Sequence, residues 1–421
     1  MTTQSLLSSS PSIKIPLIPL NYSSDESHQS ALRIILALRP NWKNGQIEFI
    51  RFTDGTTNTL LKVINKLPEL SDVEIDNEAI LLRAYGPGTE LIIDREQEAQ
   101  NHELLMQYKL APELLARFHN GMLYRFLRGS VTSTTDLRKQ EVWLAVARRL
   151  AEWHAVVPCI QNIDGKSNNY SEQYSVYQPI SNSIVTELPK IPHLTHLENI
   201  QPNLWTVLKK WVSAVPTNTI AEKSRQQILQ KETDRLILEL SNRLGLGKNS
   251  LVFAHCDLLS GNIVMLPRST VDANATLTVS FIDFEYATPS PAAFDIANHF
   301  AEWGGFDCDY HQLPTQSQRI DFIREYIKSY YRHLNHKISD EDREAESKRL
   351  FSEVDLFRGV PGLYWGVWAL IQSKISKIDF DYASYAEIRL SEYWDWRAEH
   401  DGTRAASGGK IPLREARWAE D

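Results

Sequence analysis

His255-Cys256-Asp257-Leu258-Leu259-Ser260-Gly261-Asn262 reads H-x-D-x-x-x-x-N, and Ile282-Asp283-Phe284-Glu285 follows, with its Asp 26 residues after Asp257. Short apolar, β-branched runs frame both stretches: 251–254 before the first, 263–266 after it, and 277–282 leading into Asp283. Runs of this kind are what strands bounding a loop look like. One reading is a polar turn in a β-hairpin, with Asp257 and Asn262 only capping backbone groups. A second acidic motif, after its own strand and at this distance, argues for more than a turn. Phosphoryl transfer from a nucleotide needs one carboxylate near the acceptor hydroxyl, and oxygen ligands that hold magnesium on the phosphates. Asp257 suits the first role. Asn262 and Asp283 suit the second, because a hard cation prefers carboxylate and amide oxygens.

The spacing matches the catalytic loop and metal-binding Asp of kinases, so the upstream chain is where a nucleotide-binding lobe is expected. Residues 46–52 alternate apolar and polar at the strand period. Asp54-Gly55 and a second strand-like run, 59–64, follow, which is a hairpin pattern. Thr56 and Asn58 bring a hydroxyl and an amide to that turn, whose backbone N–H groups can meet phosphates, although an ordinary hairpin turn has the same residues. Arg83 lies in a third strand, 79–85. A cation there can pair the α- and β-phosphates, and Arg supplies a permanently charged fork of donors. Glu98, on a helix spanning 94–108 that Asp94 can cap, is the candidate to orient Arg83; the alternative is a solvated helix carboxylate. A hairpin over 118–126, turning at Asn120-Gly121, completes a small α+β lobe.

Beyond Leu127 the pattern is mainly helical, with helices expected at 142–154, 203–212, 221–244, 320–334, 340–358 and 362–374, and Ser339 as an N-cap. The expected organisation is a loosely attached or disordered arm over 1–28, a nucleotide-binding lobe over 29–126, a catalytic and substrate-binding lobe over 127–400, and a flexible tail over 401–421. The polar, proline-containing stretch 158–196 reads as an insertion. Asp295, near a helix start soon after Asp283, is expected to brace the catalytic loop by hydrogen bonding. Trp365 and Trp368 are three apart, hence on one helix face. A tryptophan stripe is commonly core. Paired with Glu302 in a Phe-x-Glu-Trp context, however, aromatic faces and a carboxylate suit a small ammonium ligand.

The chain has 421 residues, 42% of them hydrophobic, and a formal net charge of −8, which does not suit a nucleic-acid partner. Cys159, Cys256 and Cys308 are odd in number and far apart, which suits a reducing cytoplasm rather than a disulfide framework. No apolar run reaches the roughly 18 residues that a membrane-spanning helix needs, and the first residues lack the charged-then-apolar pattern of a secretory signal. His193-x-x-His196 has no partner ligands nearby in sequence and reads as surface histidines.

Taken together, FTDGTTNTL, LLRAYGPGTELIIDREQE, LAPELLARFHNGMLYRF, HCDLLSGNI, FIDFEYA, FDIANHFAEW and LYWGVWALIQSKISKIDFDY resemble the choline/ethanolamine kinase family over about residues 49–396. GTELIIDREQE, NGMLYRFLRG and NLWTVLKKW resemble its ethanolamine branch more than its choline branch. The resemblance implies an α+β, bilobal, protein-kinase-like fold, with a small antiparallel-sheet lobe and a larger helical one. It implies magnesium-dependent transfer of phosphate from ATP to an amino-alcohol hydroxyl, the opening step of the CDP-ethanolamine route to phosphatidylethanolamine if the acceptor is ethanolamine. Choline or another small amino alcohol is the alternative, since fold does not fix the acceptor. By position, Asp257 resembles the base, and Asn262 and Asp283 the magnesium ligands. Thr56, Asn58 and Arg83 fall where the family meets ATP. Glu285 falls at the metal or substrate edge, and Tyr286, Glu302, Trp365 and Trp368 on the amino-alcohol pocket, with Tyr382 and Tyr385 beside it. The family commonly has Asn where this chain has Cys256, and a bulkier polar pair in place of Ser260-Gly261. A binding protein without turnover would be expected to have lost Asp257, Asn262 or Asp283. The oligomeric state, a homodimer included, is left open.

Overall fold

The computed structural model describes residues 15–52, 58–86, 88–159, 202–246, 250–268, 276–376 and 378–421. The N-terminal lobe contains β1 (Leu17–Ile18), α1 (Ser27–Leu38), β2 (Gln46–Phe52), β3 (Asn58–Lys66), α2 (Asp72–Glu78), β4 (Ile80–Tyr85), α3 (Arg95–Gln107), β5 (Leu114–Phe118) and β6 (Gly121–Arg125). They form a six-stranded sheet in the order β1-β5-β6-β4-β3-β2. All its pairings are antiparallel except β1 with β5. The sheet buries Val63, Ile80, Leu82 and Leu123 against Ile34 and Ile35 of α1. The strands flanking the Asp54-Gly55 hairpin pair from Gln46↔Lys66 to Phe52↔Leu60; the turn itself, with Thr56, lies outside the described residues. Asp94 caps α3 as expected, accepting from the backbone N–H groups of Glu96 and Gln97. Gly121 is required by close approach: a Cβ there would stand 2.1 Å from the Arg83 carbonyl oxygen.

The second lobe opens with β7 (Ser130–Val131), α4 (Thr134–Leu137), α5 (Gln140–Val156), α6 (Leu204–Ala214) and α7 (Ile220–Leu240). The catalytic segment follows as β8 (Val252–Ala254), β9 (Ile263–Met265), β10 (Val279–Phe281) and β11 (Thr288–Ser290). β9 pairs with β10 and β7, and β8 with β11, all antiparallel. Seven helices complete the lobe: α8 (Ala292–Ala301), α9 (Gln316–His333), α10 (Asp340–Phe357), α11 (Val360–Ile375), α12 (Tyr382–His400), α13 (Thr403–Ala406) and α14 (Leu413–Ala419). Its core is aromatic-rich, with Trp153, Trp211, Trp303 and Trp396 almost wholly buried. Two glycines let α11 and α12 touch: a Cβ on Gly362 would lie 2.7 Å from the Arg389 carbonyl oxygen, and one on Gly366 2.7 Å from Leu390 Cγ.

Two expectations about the ends are corrected. From residue 15 the arm is part of the fold. β1 pairs with β5, Ile18 and Tyr22 are buried, and Asn120 bonds both backbone groups of Tyr22. The tail over 401–421 is also held: Trp418 is buried, its indole N–H donates to Asp355, and its carbonyl accepts from Arg319. Helices α2 and α12 were not anticipated. α2 carries a capping box, Ser71 with Glu74, that the sequence displays. The stretch 158–196, with His193 and His196, lies outside the described residues from 160 on. No helix among the described residues is long and apolar enough to cross a membrane.

Candidate active site

Strand pairing brings the two motifs together. Ile263 faces Phe281 across the β9–β10 ladder, and one step beyond it the Ile282 N–H donates to the Asn262 carbonyl at 3.0 Å. Asn262 and Asp283 therefore leave the ends of adjacent strands side by side. Asn262 Nδ2 donates to the Asp257 carbonyl at 2.8 Å and to Asp257 Oδ2 at 3.0 Å. That commits the amide nitrogen and turns Oδ1, the atom a cation would use, away from the base. Asp283 gives one oxygen to Arg83, at 2.7 Å, and its side chain remains 25% exposed. Two oxygen donors of these types, side by side, fit magnesium that completes its shell with water and phosphates.

The loop is held from behind by one face of α8. Asp295 accepts from the backbone N–H groups of His255 (2.9 Å) and Cys256 (2.8 Å), and is itself bonded by His154 Nε2 at 2.9 Å. Asn298 Nδ2 donates to the Cys256 carbonyl, and the His299 ring meets that of Leu258 at 2.9 Å. Positions 295, 298, 299 and 302 fall on one side of a helix, so the same face that clamps the loop also delivers Glu302. The expected bracing by Asp295 is present in the geometry; Asn298 and His299 join it at helical 3-4 spacing on α8, whereas His154 comes from α5 and carries no local signal in the sequence. Cys256 adopts φ 64, a conformation that Asn tolerates better than Cys. Its thiol is fully buried beside Ser290, and burial pushes its pKa well up, which suits a packed residue and not a nucleophile.

Between the lobes lies a buried ion network. Arg83 pairs with Glu98 (3.1 Å), Asp283 (2.7 Å) and Glu285 (2.5 Å). Arg95, which the sequence reading passed over, reaches Glu98 (2.8 Å), Glu285 (2.9 Å) and Asn58 Oδ1 (3.2 Å), with its guanidinium 4.3 Å over the Tyr85 ring. Asn58 Nδ2 donates to Glu285 at 3.0 Å. Of the metal or substrate edge expected of it, Glu285 sits on the side of Asp283, with which it shares Arg83, and not with Tyr286: three donors of the small lobe draw its carboxylate there. Burial works to raise the Glu285 carboxyl, yet Arg83 and Arg95 outweigh it and hold it below the usual range. Asp257 has no such cation among the described residues. Burial, followed by the charges of Asp283, Glu302 and Glu285, pushes it well above the ordinary carboxylate range.

Among the residues expected to meet the acceptor, Trp368 donates its ring N–H to the Tyr286 hydroxyl at 2.8 Å, and Trp365 donates to Asn298 Oδ1 at 2.8 Å. The Tyr286, Trp365, Trp368 and Tyr382 rings follow edge-to-face at 5.5–5.6 Å or, for the last pair, 5.6 Å and tilted further. Both tryptophans are largely buried, so much of this cluster is core packing. Glu302, one turn beyond Asn298, lines a cavity of about 310 Å³ with Thr134, Leu259, Ser260 and Phe306, and its Oε1 accepts from Arg389 at 2.8 Å. Tyr385 packs on Phe306 and Phe380 at the same rim.

A choline/ethanolamine kinase family model matches residues 49–394, most of the chain. The chain belongs to the choline/ethanolamine kinase family. Its relatives include a probable ethanolamine kinase of Nematostella vectensis, 31% identical over 384 residues that make up 91% of this chain and 97% of the other. Among solved structures, an ethanolamine kinase of Plasmodium vivax matches with a TM-score of 0.63 at 23% identity, over 88% of this chain and 89% of that one. A choline kinase of Cryptosporidium parvum matches with a TM-score of 0.61 at 21% identity, over 90% and 97%. The bilobal, protein-kinase-like α+β fold expected of a choline/ethanolamine kinase is therefore shown.

Proposed function

We propose that this kinase transfers the γ-phosphoryl group of ATP to the hydroxyl of ethanolamine, giving phosphoethanolamine and ADP. The observation that carries the reading is that strand pairing brings Asn262, bonded to Asp257, next to Asp283, which pairs with Arg83 of the small lobe. The acceptor oxygen forms a bond to the γ-phosphorus, its proton passes to Asp257, and the bond to the bridging oxygen of ADP breaks. A carboxyl pushed up by burial is a better base than an exposed one. Asn262 and Asp283 would hold magnesium, which supplies charge neutralisation on the phosphates. Arg83, braced by Glu98, and the turn carrying Thr56 and Asn58 are the nucleotide contacts of this reading.

Ethanolamine is favoured over choline as acceptor because the relatives sharing about 30% identity across most of the chain carry the name ethanolamine kinase. Glu302 supports it: a primary ammonium needs hydrogen-bond acceptors, whereas a quaternary one needs only aromatic walls. A cytoplasmic place fits the three cysteines, all free thiols. The test is ATP consumption by the purified protein with magnesium, comparing ethanolamine and choline. Ethanolamine is expected ahead by about tenfold or more in kcat/KM, a discrimination of about 1.4 kcal/mol. Choline ahead would keep the catalytic assignment and overturn the acceptor; turnover of neither, with nucleotide bound, would overturn the reading.

A further inference from the structure

The acceptor carboxylate is the first link of a buried chain of alternating charges. Glu302 Oε1 accepts from Arg389 Nη2 at 2.8 Å; Arg389 Nε lies 3.3 Å from Glu392; Glu392 lies 3.9 Å from Arg414 Nε. Arg414 Nη1 meets Glu415 at 3.1 Å, and Glu415 meets Arg358 at 2.8 Å. Arg389, Glu392, Arg414 and Glu415 are all buried. The far links belong to α14, which Arg358 secures by accepting from Arg414 Nη2 through its carbonyl at 2.7 Å. Buried ion pairs are often no more stabilising than apolar side chains of the same size, so stability alone is a poor reason for this arrangement. Its position is informative: the chain ends on Glu302, which lines the 310 Å³ cavity together with Asp307 and Asp309, and of these three carboxylates Glu302 is the one it holds.

We infer that Arg389 is a positioning residue for the acceptor: it holds the Glu302 carboxylate in place at the cavity, and is itself held by the charge chain that ends on α14. The inference rests on the amino-alcohol reading of that cavity. Arg389 engages Oε1, and the other oxygen is the one a ligand ammonium would meet. The backbone fixes the donor as well, since Gly362 lets α11 lie directly against the Arg389 carbonyl. Without Arg389, Glu302 loses its bonded cation and Glu392 keeps only Arg414 at 3.9 Å, and a Glu302 that takes up a proton no longer attracts an ammonium. The residues expected to meet ATP, Asn58 and Arg83, make no contact with this chain.

The experiment measures KM for ethanolamine and for ATP in full-length Arg389→Met, Arg389→Lys and Arg414→Met proteins. Arg389→Met is expected to raise the ethanolamine KM about 30-fold or more while moving the ATP KM by less than about twofold. Arg389→Lys should recover most of the loss, and Arg414→Met should raise the ethanolamine KM about threefold. An unmoved ethanolamine KM in folded variants, or equal rises in both KM values, would overturn the inference. Should Arg389→Met fail to fold, Arg414→Met decides by the same comparison. A wild-type protein that turns over no amino alcohol would overturn the acceptor reading itself, which an active wild type with unmoved variants would leave standing.

Discussion

At the residue scale the decisive group is Asp257, whose carboxylate is oriented by Asn262 and raised in pKa by burial. Asp257→Ala is expected to lower kcat on the order of 10³-fold or more while leaving ATP affinity nearly unchanged, because only the proton acceptor is lost. Retained turnover in that variant would remove Asp257 from the base role. A second prediction concerns buried histidines. Burial depresses His102 and His299 to about 4, against an ordinary value of about 6.5. Both are neutral in the fold, so below pH 6.5 protons bind the unfolded chain and not the native one. Stability is therefore full above pH 6.5 and is lost as pH falls toward 4, by up to about 3 kcal/mol per histidine. Thermal melts from pH 7 to 5 should show Tm falling, and His102→Gln should lessen the slope; an equal slope would exclude His102 as a contributor. Asp257, Asn262 and Asp283 were legible because their chemistry needs particular residue types at a particular spacing. Arg95 and Arg389 were not: each has a carboxylate three residues on, but the partners that tie them to the site, Glu285 and Glu302, lie far away in sequence.

At the element scale, legibility followed the strength of local patterning. β2, α3 and α10 come within a residue or two of their expected bounds, since alternation and cap residues mark them locally. β1 and α14 were missed: each is short, and is ordered by partners elsewhere, β5 for one and Arg319 and Asp355 for the other. α12 hides among aromatics and charges, and is placed by two glycines on the facing helix. That packing gives a prediction. In Gly362→Ala the new methyl would meet the Arg389 carbonyl and the Tyr393 N–H group, both backbone, so α12 must move. A loss of about 1–3 kcal/mol is expected from such overpacking, together with a higher KM for ethanolamine, since α12 carries Arg389 and Tyr385. Denaturant unfolding and steady-state kinetics check both; a stable variant with unchanged KM would show that the helix contact is slack.

At the scale of the whole molecule the two lobes meet through charge. Asn58, Arg83, Arg95 and Glu98 come from the small lobe, Asp283 and Glu285 from the large one, and both arginines share Glu98 on their own lobe and Glu285 on the other. Asn101, donating to the Ala287 carbonyl at 2.8 Å, and Trp211, donating to that of Ile92 at 3.2 Å, tie the lobes on either side. The resemblance left Glu285 at the metal or substrate edge; successive residues can point to opposite sides, and here Glu285 meets the small-lobe arginines while Tyr286 meets Trp368. The two placements make different predictions. Glu285→Gln keeps the shape and removes the charge, leaving Arg83 and Arg95 with less compensation in a buried site. Breaking a buried pair from one side costs about 3–5 kcal/mol, so a clear fall in Tm is expected. Arg83 would also be left closer to Asp283, and the ATP KM should rise several-fold while the ethanolamine KM stays within about twofold. The reverse outcome, a raised ethanolamine KM with ATP binding and Tm intact, would return Glu285 to the substrate edge and make the ion network a feature of packing alone. Because stability, nucleotide KM and acceptor KM are read from the same variant, a general loss of fold cannot imitate either result.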